Sequence, residues 1–401
     1  MSNSQAALVQ SAQQHLYPNY RQPPLVFVRG DGAELWDAEG RRYLDLFAGI
    51  AVSTLGHAHP RLVRAISEQA GKLIHLSNYY YNEPNVLLAA KLCALSGMDR
   101  AFFCNSGTEA IEACLKLVRH HFFGKGETNR YRVIAFENSF HGRTLGALAA
   151  TGQKKYQEGF GPLSGVTHVP YGNIERVREA MGDDVAAILL EPIQGEGGVL
   201  PAPTGFLRAL RDLTTQAGAL LIMDEVQTGV GRSGRFLACE HDGVRPDVVA
   251  LAKALGGGVP IGAMLCTSAL EGALPPGTHG STFGGNPLAS AAALAVLTAI
   301  TEDKLMERAH ASGEFLTARL NAVAARHPKK VEQVRGRGLL QGLVLREGYE
   351  ARQVLGPLKD AGVLLTAAGD RVLRFTPPLT ISESLLDEGV SKLDQVLGSL
   401  A

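Results

Sequence analysis

The chain lacks an excess of either charge, has few cysteines, and contains no long apolar run and no basic leader. Each absence closes off a class of function. Its 39 Lys and Arg balance 39 Asp and Glu, so there is no basic surplus to draw nucleic acid or an anionic membrane. The five cysteines (Cys93, Cys104, Cys114, Cys239 and Cys266) are odd in number, scattered, and free of any C-x-x-C pair. They read as reduced core thiols, not as a disulfide frame. The longest small or apolar stretch, residues 288–300, contains Ser290 and Thr298 and falls short of the ~20 residues a bilayer requires. The start, MSNSQAALVQSAQQ, has no basic cluster and no apolar centre, so a cytoplasmic protein is expected. His57 and His59 form an H-x-H pair, yet no third ligand follows at metal spacing. No metal is expected, and both read as hydrogen-bonded loop histidines. A phosphate loop of the G-x-x-x-x-G-K-[ST] kind is missing too, which argues against a nucleotide-binding module.

What is present centres on residues 220–258. The apolar run 220–223 is too short for a helix and reads as a buried parallel strand that delivers Asp224 and Glu225 at its end. Open α/β sheets bind ligands at that end of their strands. A second run, 248–251, ends just before Lys253, which is followed by Gly256, Gly257 and Gly258. An acid and an amine therefore reach one crevice. They can form a structural ion pair, or the lysine, its ammonium disfavoured in a semi-apolar pocket, can condense with a carbonyl.

Along the chain, Pro18, Pro23 and Pro24 break any early helix. Residues 25–46 then alternate like strands joined by glycine turns. A helix is predicted from Pro60 with Leu62, Ile66 and Leu73 on its apolar face, and another over 86–95. In FFCNSGTEAIEACLKLVRHHF a short apolar run leads through Ser106-Gly107-Thr108-Glu109 into a long helix. Its N-terminus is either an anion cradle or an ordinary cap. Residues 133–136 and 185–190 read as further strands, the second ending at Glu191 and Glu196. Two carboxylates so placed could suggest acid/base chemistry of the glycosidase kind.

The segments LLIMDEVQTGVGRSG and LAKALGGGVPIGA resemble the class III, fold-type I, pyridoxal-phosphate-dependent aminotransferases, and the resemblance extends from about Tyr20 to Leu379. It implies an α/β fold, with a mostly parallel seven-stranded sheet flanked by helices and a smaller α+β domain. Residues 59–285 are expected to form the large domain, 286–401 the small one, and 1–58 a segment joining the latter. It implies pyridoxal 5'-phosphate held by Lys253, with Asp224 at the ring nitrogen as the acid that keeps it protonated. Gly107 and Thr108 would cradle the phosphate, Phe140 and Val226 would cover the two ring faces, and Gln227 would bond the phenolic oxygen. Thr282, in HGSTFGGNP, would reach the phosphate of a neighbouring subunit, making a homodimer with shared sites. Ser281 would stand with the substrate contacts; the alternative for both is a turn before the next helix.

The resemblance also gives Arg143 a substrate carboxylate, where a surface ion pair is the default. Glu196 becomes a switch residue paired with Arg374 when a second substrate's carboxylate is absent, and Glu191 a supporting residue. GIAVSTLGHAHP, NSGTEA, ENSFHGRT and GSTFGGNP are most similar to the acetylornithine aminotransferases. These imply N-acetylornithine and 2-oxoglutarate as substrates and a part in arginine biosynthesis. Enzymes acting on free ornithine typically carry tyrosine where this chain has Ile50, and an apolar residue suits an acylated amine. Tyr20 separates the two less well. Succinylornithine, succinyl-diaminopimelate and 4-aminobutyrate remain alternative donors, and an aminomutase an alternative reaction.

Overall fold

The computed structural model describes residues 4–400. Its centre is a seven-stranded sheet made of β1 (Arg100–Cys104), β2 (Arg132–Phe136), β3 (Val166–Val169), β4 (Val185–Leu190), β5 (Leu220–Asp224), β6 (Val248–Leu251) and β7 (Gly262–Cys266). They lie in the order β1-β7-β6-β5-β4-β2-β3. Only β7 runs antiparallel to its two neighbours. Every residue of β4, β6 and β7 is buried, as befits strands covered by helices on both faces. The uniform apolar runs seen in the sequence have this cause.

Register places the chemistry. Asp224 at the end of β5 lies opposite Ala250 of β6, and Met223 lies opposite Leu190 of β4. Glu191, Asp224 and Lys253 therefore emerge at one sheet edge. Helix α1 (Gly107–Gly124) follows β1 and buries Ile111, Cys114, Leu115 and Val118 against the sheet.

A second layer holds an antiparallel sheet of Val331–Arg337, Leu340–Leu345, Val372–Phe375 and Thr366–Ala368. The early meander of Phe27–Asp31, Glu34–Asp37 and Arg42–Asp45 takes Val363–Leu364 as its fourth strand, parallel to Arg42–Asp45. Arg42 adds a two-pronged ion pair to Glu388 of the last helix, at 2.9 and 3.1 Å. Residues 27–45 are thereby tied to residues 363–364 and 388.

Two local expectations need correction. The helix from Pro60 stops at Ala70, where Gly71 caps it, so Leu73 lies beyond its end and exposed. Glycine's low helix propensity ends the helix before its apolar pattern does. His57 is hydrogen-bonded as expected, but the buried Nδ1 of His59 has no partner among the described residues. Burial lowers the pKa of that ring, which keeps it neutral.

Candidate active site

One cavity of about 390 Å³ opens at the carboxyl edge of the central sheet, where such folds hold their ligands. The turn after β1 brings Asn105, Ser106, Gly107 and Thr108 to its wall, and the loop after β2 brings Phe140, His141, Gly142 and Arg143. Glu191 and Glu196 follow β4, Asp224, Val226 and Gln227 follow β5, and Lys253 follows β6.

Asp224 is buried and makes no ion pair with Lys253. Its Oδ2 lies 2.7 Å from His141 Nδ1, and its Oδ1 accepts the Val226 N–H at 3.0 Å. The imidazole is itself buried, with Thr151 Oγ1 accepting the His141 N–H at 2.9 Å. The carboxylate is held in one orientation from behind. Lys253 stands half-buried with φ of 44°, a left-handed backbone uncommon outside glycine. Strain of that kind gathers at working sites. Burial pushes its amine below the usual lysine range, and Arg374 adds to the effect against the pull of Glu196, Asp224 and Glu191. A less basic amine is a better nucleophile and proton acceptor near neutral pH.

The start of α1 is a cap and an anion cradle at once. Ser106 Oγ accepts the Glu109 N–H, and Glu109 Oε2 takes both the Ser106 hydroxyl and the Asn105 N–H. The amides of Gly107 and Thr108 have no protein acceptor among the described residues and line the cavity. Gly107 also lies tight against Val226, since a β-carbon there would stand 2.8 Å from Val226 Cγ1.

Arg374, buried on its strand, donates from Nη1 to Glu196 Oε1 at 2.5 Å and to Gln227 Oε1 at 3.1 Å. Arg143 is exposed and has no carboxylate partner among the described residues. Its guanidinium lies over the Tyr156 ring at 3.8 Å and the Phe140 ring at 5.5 Å. Glu191 joins the two loops that carry these groups: Oε2 accepts the Phe140 N–H at 3.1 Å, and Oε1 the Gly195 N–H at 3.2 Å. Burial raises its pKa well above the ordinary carboxylate range.

Five expected residues stand outside the cavity wall. Arg374 is behind Glu196, and Ser281 Oγ accepts the Gly284 N–H at 3.0 Å and the cavity-lining Asn105 Nδ2–H at 3.3 Å. Thr282, Tyr20 and Ile50 are exposed. Sequence reasoning passed over His141, Asn105, Val52 and Tyr156. The first lies between Phe140 and Arg143 in FHGRT and could have been found there; Tyr156 arrives by tertiary packing alone. Residues 229–234 do have G-x-G-x-x-G spacing. They open no helix, and Gly229 and Gly231 serve close packing against Leu251 and Leu379.

These groups fit pyridoxal phosphate: an amine of lowered basicity, a braced acid, a slot between Phe140 and Val226, and free amides at a helix start. The comparisons agree. Residues 16–397 match the family described as aminotransferase class-III. The chain is 51% identical over 387 residues to an acetylornithine aminotransferase of Myxococcus xanthus, covering 96% of each, and 48% identical to that of Mycobacterium tuberculosis, covering 99% of this chain and 97% of the other. Among solved structures, ornithine aminotransferase from Toxoplasma gondii superposes with a TM-score of 0.95 at 34% identity, over 99% of this chain and 96% of that one. N-acetylornithine aminotransferase from Stenotrophomonas maltophilia gives 0.84 at 38% identity, over 97% and 98%. The chain belongs to the class-III aminotransferases, which are pyridoxal-phosphate-dependent transaminases.

Proposed function

We propose that the chain moves the δ-amino group of N-acetylornithine to 2-oxoglutarate, giving N-acetylglutamate 5-semialdehyde and glutamate in arginine biosynthesis. The observation that carries this reading is the pair of guanidinium groups around the cavity: Arg143 without a carboxylate partner and Arg374 closed by Glu196. N-acetylornithine has a single carboxylate, remote from the reacting amine, and it suits Arg143 alone. 2-Oxoglutarate has two, and its α-carboxylate displaces Glu196 to reach Arg374 while Arg143 takes the distal one. The names of relatives at about 50% identity support the same donor.

Bound pyridoxal phosphate supplies an electron sink that lets a proton leave the carbon bearing the amine. The residues of this chain do the rest. Lys253 holds the cofactor and then carries that proton, its amine kept less basic by burial. Asp224, braced by His141 and the Val226 N–H, stands as counter-charge to a protonated ring nitrogen. Gly107 and Thr108 would hold the phosphate with their amides and the positive end of α1. Phe140 and Val226 would flank the ring, and Gln227 would bond its phenolic oxygen. Ile50 favours an acylated amine over a charged one.

A second copy of the chain completes the site through Thr282. Tyr79, Tyr80, Tyr81 and Phe283 are 90, 72, 94 and 59% exposed in the single chain, an apolar surface that supports a homodimer. No helix among the described residues is long and apolar enough to cross a membrane, and a cytoplasmic enzyme accords with that.

The test is single-turnover absorbance of the loaded enzyme mixed separately with N-acetylornithine, succinylornithine, ornithine and 4-aminobutyrate. Loss of the cofactor's visible band fastest with N-acetylornithine is the expected result. A faster loss with ornithine or 4-aminobutyrate overturns the donor assignment, and turnover without 2-oxoglutarate points to an aminomutase.

A further inference from the structure

Residues 48–51 form a single left-handed turn. Ala48, Gly49, Ile50 and Ala51 have φ of 47, 61, 65 and 63°, in a region where L-residues other than glycine bring Cβ against the backbone carbonyl. Only one of the four is glycine. Ile50 is the most costly choice, since branching at Cβ makes the left-handed region least accessible. Its side chain is 39% exposed, whereas Ala48 and Ala51 are buried. Ile50 thus bears the strain without filling the core. A strained, exposed, branched residue is one kept for what its side chain meets.

The surroundings impose the turn. Asp45 is buried, and its Oδ1 accepts the N–H groups of Phe47 at 3.1 Å and Ala48 at 2.7 Å. Its Oδ2 lies 2.8 Å from His57 Nε2. His57 is fixed in turn by exchanging both backbone bonds with Gly32, at 2.8 and 3.0 Å. Gly30 leaves it room: a β-carbon at that position would come within 2.6 Å of His57 Cβ. From the other side Thr376, two residues past Arg374, donates its N–H to the Leu46 carbonyl at 2.9 Å and its hydroxyl to the Phe47 carbonyl at 2.8 Å. The turn packs against the short 3-10 helix Lys253–Gly256, and Val52 just beyond it lines the active-site cavity. Ile50 is separated from Val52 by at most about 7 Å of chain.

We propose that Asp45 and His57 are positioning residues that hold 48–51 left-handed, so that Ile50 and Val52 meet the acyl end of the amino donor and set its selectivity. This rests on the reading of the donor as an acylated ornithine. The brace works through the turn and touches neither the cofactor nor Arg374, so it separates donor recognition from the steps that Lys253 carries out.

The experiment compares kcat/KM for N-acetylornithine and ornithine in wild type and in Asp45→Asn, His57→Ala and His57→Gln. Melting of the cofactor-free Ile50→Ala and Ile50→Gly proteins is measured beside it. His57→Ala and Asp45→Asn are expected to lower the preference for N-acetylornithine ~10-fold, through KM for the donor, with KM for 2-oxoglutarate and the cofactor's absorbance unchanged. His57→Gln, which still offers Asp45 an N–H, should restore most of it. Ile50→Gly, relieved of strain, should melt about 1–3 °C above Ile50→Ala. Unchanged preference in the folded His57→Ala and Asp45→Asn proteins, or Ile50→Gly melting below Ile50→Ala, overturns the proposal. If wild type itself rejects N-acetylornithine, the donor reading fails and takes the selectivity claim with it. The melting order then still judges the turn.

Discussion

Lys253, Gly107 and Glu191 all line the active-site cavity, and their replacements have sharply different expected outcomes. Lys253→Ala should abolish turnover while leaving the cofactor bound without a covalent link, which intact-protein mass after borohydride reduction will reveal; a near-normal rate would sink the mechanism. Gly107→Ala puts a methyl group 2.8 Å from Val226 Cγ1 and must displace Val226 in the cavity wall. Cofactor retained after dialysis should fall, with Lys253 intact. Glu191 gives a pH signature. Burial lifts its pKa from 4.5 to about 7, so between those values the folded chain binds more protons than the unfolded one, and stability falls as pH rises. In Glu191→Gln that fall is absent, and its urea midpoint should gain on wild type from about pH 4.5 to 7. Lys253 and Asp224 were legible in the sequence because each follows a short apolar run, which fixes both the strand and its functional end. His141 was legible only as the loop neighbour of Phe140 and Arg143; nothing local says that its imidazole will lie behind an acid at the end of β5.

Among elements, the loop that follows β5 does more than present Asp224 and Gln227. Arg232 from that loop is fully buried and donates from Nη1 to the carbonyls of Leu339, at 3.2 Å, and Pro377. Leu339 precedes the strand Leu340–Leu345, which pairs with Val372–Phe375, with Gly342 opposite Arg374. The loop that follows Asp224 therefore also holds the sheet that carries Arg374. Burial pushes Arg232 down to about 9, so it remains charged at neutral pH. Arg232→Ala leaves a cavity and two poorly satisfied carbonyls, and should cost about 2–4 kcal/mol in urea unfolding. KM for 2-oxoglutarate should rise more than KM for the donor. Periodicity reveals strands and helices but not partners. The runs at 185–190, 220–223 and 248–251 became β4, β5 and β6 as read. The antiparallel entry of β7 and the left-handed turn at 48–51 came unannounced: one depends on pairing across some 160 residues, the other defies the local preference of alanine and isoleucine.

For the molecule as a whole, the claim that Thr282 serves a neighbour's site has a decisive mixing test. A heterodimer of Lys253→Ala and Thr282→Ala chains contains one wild-type site if Thr282 acts across the interface, and none if it acts within its own chain. Recovery of about half the wild-type activity per heterodimer is expected, which is about a quarter for the statistical mixture formed when the two inactive or impaired proteins are refolded together. No recovery above the Thr282→Ala level rules the shared site out. The strand order described above has a further consequence, for the birth of the chain. β1 can find its only neighbour after β7 has been made, and the meander of Phe27–Asp31, Glu34–Asp37 and Arg42–Asp45 is completed by Val363–Leu364. Contacts so distant in sequence close slowly. A nascent chain on the ribosome must carry an unpaired sheet edge through most of its synthesis, when it is most open to aggregation and to chaperones. Stalled or truncated products ending before residue 262 should be the insoluble ones.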